Sequence, residues 1–247
     1  ALAPERKMAL LDTVGQVDAL RPRLDATVAA AVRCFVDENG RGDDTELKLT
    51  VLVSWDITDG ESQVACHVQP LQPLPRPPVR VEVRGMPRTH AAAKDSAWVA
   101  ERAPLEALKR DDINELLLVG DDGELLEGSQ TNFYALINGA VYTAGEGILM
   151  GTVRRLLIEV CEREGIPVVL SPPNLADADK WEGALISSTS RLALPIDEIF
   201  VPREGEVSEL KDRRCVLSTG DGSLAAHLQR LVALEVEAHS TPIAQRP

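Results

Sequence analysis

Residues 127–154 read EGSQTNFYALINGAVYTAGEGILMGTVR, and they decide the fold. The run over 131–137 predicts a strand. Asn138-Gly139 turns it into a second strand over 140–143, because Asn-Gly accepts the positive φ angles of a tight hairpin. A glycine-rich loop over 145–151 then opens onto an amphipathic helix predicted for 152–164 and stopped by Gly165. The first turn of such a helix carries unpaired N–H groups and a positive dipole end, so Thr152 and Val153 are candidates to hold a phosphate. A turn that merely packs the helix is the alternative at this point.

Outward from this stretch the pattern changes on either side. Upstream, Val17, Leu20, Leu24, Val28, Val32 and Phe35 share one face of a helix predicted over 14–38, which Asn39-Gly40 stops. Two strands follow, over 47–57 and 63–69, around the turn Asp59-Gly60. Pro70, Pro73, Pro75, Pro77 and Pro78 exclude a central strand or helix interior and mark an extended connection before a short strand over 79–83. A small α+β domain is thus expected over 1–88, with a larger C-terminal domain over 89–247. The second domain begins with a helix over 98–110, a strand over 116–119 and a turn at Asp121-Asp122-Gly123. It continues after Gly165 with strands over 168–170 and 184–187, separated by a short helix, and a final helix over 224–238.

Composition narrows the class of protein. The 247 residues are 44% hydrophobic and 26% charged, which is globular composition, and no apolar run reaches the length of a membrane span. A net charge of −13 argues against general binding to nucleic acid or to an anionic membrane, although a local basic cleft can still hold one phosphate. Cys34, Cys66, Cys161 and Cys215 lie far apart, without zinc-ligand or disulfide-framework spacing, and are expected to be reduced, mostly buried thiols of an intracellular protein, cytoplasmic or organellar. The opening ALAPERKMALL lacks an initiator Met and a signal-peptide layout, so the numbering is expected to start inside a longer gene product.

Gly145-Glu146-Gly147-Ile148-Leu149-Met150-Gly151 is GxGxxxG between strand and helix, which suggests a dinucleotide. That motif needs an acid at the end of the next strand for the ribose, and Ser171 stands there instead. Three further segments point elsewhere. Lys94 stands in HAAAK, Glu127 leads EGSQTNF, and Ser187-Ser188-Thr189-Ser190 ends an apolar strand. With Ile148-Leu149-Met150-Gly151-Thr152-Val153-Arg154 and Gly165-Ile166-Pro167-Val168, this order resembles the class IV aminotransferases, the fold-type-IV pyridoxal phosphate (PLP) enzymes. These include branched-chain and D-amino-acid aminotransferases and aminodeoxychorismate lyase. The likeness covers roughly residues 88–200.

The resemblance implies a two-domain α/β (α+β) fold-type-IV enzyme with PLP as cofactor. It implies a small amino acid and 2-oxo acid as substrates and a homodimer as the assembly. Lys94 is then the Schiff-base amine and proton carrier, and Glu127 the carboxylate that keeps the pyridine ring protonated. Thr152, Val153 and Thr189 belong to the phosphate cup, and Asn132, Gly151 and Ser188 complete the cofactor-binding set. Two departures stand against this pattern. Asp95-Ser96-Ala97-Trp98 follows the lysine where many relatives place an Asn or Asn-Tyr, and the phosphate-binding Arg of the N-terminal segment has only Arg6 as a poor counterpart. Rival readings are a PLP-dependent lyase, a PLP-binding protein that has lost catalysis, and an oxidoreductase using GxGxxxG.

Overall fold

The computed structural model describes residues 4–40, 46–56, 58, 60–202 and 213–240, and these gather into two compact units. The first unit runs to Pro73 and holds α1 (Pro4–Val14), α2 (Val17–Asn39), β1 (Leu47–Trp55) and β2 (Ser62–Pro70). Helix α2 ends as expected at Gly40, whose φ of 75° takes the chain out of the helix while its N–H bonds the Val36 carbonyl. Strands β1 and β2 form an antiparallel ribbon in register from Leu47–Pro70 to Trp55–Ser62. Arg23 ties α2 to it, donating to the Ser62 Oγ and carbonyl at 2.8 Å each. Helix α1 was not expected, and Asp59 of the predicted turn and the Arg6 side chain lie outside the described residues.

The second unit, Leu74–Ser240, is built on one ten-stranded mixed sheet. In chain order its elements are β3 (Arg80–Val83), α3 (Ala97–Glu106), β4 (Glu115–Val119), β5 (Leu125–Gly128), β6 (Asn132–Ile137) and β7 (Ala140–Tyr142). Then come α4 (Thr152–Glu164), β8 (Val168–Val169), a 3₁₀ helix (Leu175–Lys180), β9 (Gly183–Ser188), β10 (Leu192–Pro195), β11 (Glu198–Val201), β12 (Arg213–Val216) and α5 (Leu224–His239). The strand order is β10-β9-β6-β5-β4-β3-β11-β12, and β7 and β8 extend from β6. Strand β3 runs parallel to both β4 and β11, which places it inside this sheet and not with the N-terminal elements. Helix α3 stops at Glu106, short of the expected 110, because the Leu108 and Lys109 amides tighten onto carbonyls three residues back.

Four strands escaped the sequence reading. Strands β5, β10, β11 and β12 have four residues each, too few to display a period. The Asn138-Gly139 hairpin is as expected, with φ of 50° and 72°.

Strand β6 shows why its run is continuously apolar. Phe133 and Ala135 face one core with Leu117, Ile186 and Trp181, whereas Tyr134 and Leu136 face a second core beneath α4 and α5. There Leu157, Val160 and Cys161 of α4 meet Leu228 and Val232 of α5. Burial pushes the Cys161 thiol up to about 11, so it stays protonated and unreactive. The other cysteines depart from the expected burial: Cys34 is exposed, and Cys66 and Cys215 are half-buried, because Cys34 sits on α2, Cys66 on one strand of the two-stranded ribbon and Cys215 on the edge strand β12. Among the described residues no helix is long and apolar enough to cross a membrane.

Leu157→Ala removes a fully buried side chain that seats α4 on the sheet, and is expected to cost about 2–5 kcal/mol. Urea unfolding followed by circular dichroism checks this, with a lowered midpoint at unchanged slope.

Candidate active site

Register gathers the polar residues. Glu127 of β5 pairs with Asn132 of β6, and Asn132 pairs with Ser187 of β9. Residues directly opposite in antiparallel strands project to one face, so these three form a row across the sheet. All are buried. The row lies on the α4 side, where the Tyr134 hydroxyl meets Ser187 Oγ at 2.7 Å. Burial drives the Tyr134 phenol far above its ordinary value, so it remains a neutral hydroxyl.

This row anchors the glycine-rich loop. Glu127 Oε2 accepts from the Leu149 N–H at 3.0 Å, and Asn132 Nδ2 donates to the Leu149 carbonyl at 2.7 Å. One loop residue is thereby held at both backbone groups. Arg154, buried in the first turn of α4, donates to the Ala144 carbonyl at 2.8 Å and fastens the loop's other end. Gly151 caps α4 in an extended conformation with no side-chain cap, so the first-turn N–H groups at 152 and 153 are available to an anion. A Cβ on Gly151 would fall far inside contact distance of Asn132 Oδ1. Here the glycine is required by close approach and not by its φ of −65°.

The hydroxyl cluster lies beside this row. Ser188 ends β9 half-buried, and Thr189 is exposed in the turn that follows. Arg191 fixes that turn, donating to Glu115 Oε2 at 2.7 Å and to the Asn114 carbonyl at 3.0 Å. Glu115 Oε1 in turn accepts from Ser129 Oγ at 2.7 Å, which joins the β9–β10 turn to the β5–β6 turn.

Glu127, Asn132, Gly151 and the backbone at 152–153 are thus brought together, with Ser188 and Thr189 on the adjoining turn. The Val153 side chain points into the core, leaving only its amide for binding, and the Thr152 side chain is exposed. Lys94 lies exposed in the segment between β3 and α3, and among the described residues it has no hydrogen-bond or ion-pair partner. Arg88 was not anticipated. Its Nε donates to Glu127 Oε1 at 2.8 Å, and both side chains are more than nine-tenths buried. The sequence held a signal, an arginine six places ahead of the lysine in RTHAAAK, but nothing in it showed which acid the arginine would meet.

The fold is a mixed α/β sheet with an uncapped helix start beside a buried carboxylate. The family model for amino-transferase class IV matches residues 19–199, and the chain belongs to that family. It is similar to a Methanocaldococcus jannaschii protein provisionally named a branched-chain-amino-acid aminotransferase, with 32% identity over 89 residues. That match covers 35% of this chain and only 31% of the relative's length. Among solved structures, the branched-chain aminotransferase of Thermoproteus uzoniensis with norvaline superposes with a TM-score of 0.64 at 20% identity, over 97% of this chain and 82% of that one. An aminotransferase of Mycobacterium tuberculosis described as hypothetical, in its PLP-bound form, gives 0.65 at 19% identity, over 96% and 82%. These likenesses establish the fold-type-IV architecture.

Gly151→Ala forces Asn132 off the Leu149 carbonyl and is expected to cost about 1–3 kcal/mol. In an Asn132→Ala background the same change is expected to cost much less. A double-mutant cycle of urea unfolding measures the difference.

Proposed function

We propose that the chain is a PLP-dependent aminotransferase acting on a small amino acid and 2-oxo acid pair. The observation that carries this reading is the buried Glu127 carboxylate fastened, through Leu149, to the loop that opens α4 at an uncapped N-terminus. The residues fit the cofactor. The uncapped first turn supplies amide donors for a phosphate, and Ser188 and Thr189 supply hydroxyls beside it. Each Glu127 oxygen accepts one bond in the fold, and a carboxylate oxygen has capacity for another, so the acid can take a ring N–H while keeping Arg88.

PLP, when bound, supplies an electron sink for the pair released at the substrate's α-carbon. Everything else is the work of this chain. Glu127 holds the proton on the ring nitrogen, and the amides at 152–153 hold the phosphate in place through turnover. Lys94 Nζ would take the substrate's α-proton and return it to the cofactor's aldehyde carbon, two atoms away, which requires the amine within reach of both atoms. Its lack of a competing partner leaves the amine unoccupied for that task. We further propose a homodimer, an intracellular setting, and a division of the chain into a smaller N-terminal and a larger cofactor-binding domain.

Three measurements test this. Borohydride reduction of the PLP-treated protein, followed by peptide mapping, is expected to label Lys94, and a label on Lys109 or Lys180 instead overturns the assignment. Glu127→Gln leaves the buried Arg88 guanidinium without its charge partner, which costs about 3–5 kcal/mol of stability. Its turnover is expected to fall roughly a hundredfold, the rate equivalent of about 3 kcal/mol. A panel of L- and D-amino acids is expected to convert the bound cofactor to its pyridoxamine form, with reversal by a 2-oxo acid. Oxo-acid release without that form would assign a lyase, and no spectral response to any amino acid would assign a non-catalytic binder.

A further inference from the structure

The segment that carries Lys94 is gripped on both sides. On one side Arg88 donates Nε to Glu127 Oε1 at 2.8 Å and Nη2 to the Ala91 carbonyl at 2.9 Å, three residues before the lysine. On the other side the Trp98 indole N–H donates to the Ser129 carbonyl at 2.6 Å, in the turn that follows Glu127. The two grips are joined, because the Arg88 guanidinium lies 5.5 Å from the centroid of the Trp98 ring. A half-open hollow lined by Arg88, His90, Ala93, Asp95 and Trp98 borders this segment.

We infer that Arg88 and Trp98 are positioning residues that set Lys94 against Glu127; the inference rests on the proposed PLP reading. The alternative role for a buried ion pair, simple stabilisation, is poorly served by this one. Burying two charges costs about as much as their attraction returns, and a hydrophobic pair would hold the sheet as well. What a hydrophobic pair does not do is fix direction. Arg88 presents a planar fork whose two arms reach Glu127 and the Ala91 carbonyl together, so a displacement of the lysine segment is a displacement relative to the carboxylate. Trp98 repeats the constraint from the other side through Ser129, which is bonded in turn to Glu115. The Lys94 side chain is exposed and, among the described residues, makes no hydrogen bond or ion pair, so its placement comes from its neighbours in the chain. The same grip accounts for the departure after the lysine: Trp98 secures this segment to the β5–β6 turn by its own contact.

The step that reports placement is formation of the lysine link. Nζ of Lys94 adds to the cofactor's aldehyde carbon, one water leaves, and borohydride reduces the resulting C=N bond to a stable secondary amine. Arg88→Lys keeps the charge opposite Glu127 and loses the fork. Trp98→Phe keeps a ring under the guanidinium and loses the bond to Ser129. Neither variant touches the proposed phosphate cup, so equilibrium dialysis with PLP is expected to give affinities close to wild type. The rate of link formation within the bound complex, followed by stopped-flow absorbance and by the yield of labelled Lys94 after a short borohydride pulse, is expected to fall roughly ten- to a hundredfold in each variant. Glu127→Asp serves as a check that keeps the ion pair but shortens its reach, and it is expected to slow the link likewise. A purely structural role would lower the melting temperature and leave the rate within the bound complex unchanged. That result in both variants overturns the inference while leaving the PLP reading intact. Wild-type protein that binds no PLP, or links a different lysine, overturns both.

Discussion

A carboxylate with almost no solvent contact has to be held by donors from the protein, and Glu127 is held by two. Arg88 reaches it from the β3–α3 segment, and the Leu149 amide reaches it from the loop before α4. The two donors come from segments remote in the chain. The acid is therefore the joint at which the segment bearing Lys94 and the loop that opens α4 are referred to a common point on the sheet. Breaking it leaves a buried guanidinium without its partner and frees one of the two bonds that hold Leu149.

The loop before α4 gains its shape from the same economy. Its residues are not packed into the core in a regular element, and yet its backbone groups are taken up at Ala144 and Leu149 by Arg154, Glu127 and Asn132. That leaves the α4 amides at 152–153 as the ones offered outward. Among the described residues no side chain caps this helix start, which leaves its amides free to meet an anion. Gly151 is the condition for that, since any side chain there would displace Asn132.

The N-terminal unit is built by different means. Its two-stranded ribbon is too small to be stable alone and depends on α2, through contacts such as Arg23 to Ser62. Val51, Leu52 and Trp55 remain exposed on β1, and none of the residues of α2 is fully buried. The large sheet, by contrast, buries both faces, and the two cores divide along the alternation of β6.

The sequence by itself determined the elements whose signals are local. Asn138-Gly139 set the hairpin, Gly165 with a φ of 70° closed α4, and Gly40 closed α2, because each demands a backbone conformation that few other residues adopt. It also determined the family, through the order Lys94, Glu127, Gly151-Thr152-Val153 and Ser188-Thr189, since order survives where spacing drifts. Tertiary structure alone decided what those residues touch. Strand β3 reads as the end of the N-terminal region and lies between β4 and β11, because parallel pairing joins segments remote in the chain. Arg88 and Trp98 carry no local signal of their partners: an arginine finds its acid, and an indole its carbonyl, only after the sheet has brought β5 beside the β3–α3 segment. Local conformation is encoded residue by residue, whereas side-chain pairing across the sheet depends on register, and register is a property of the folded chain.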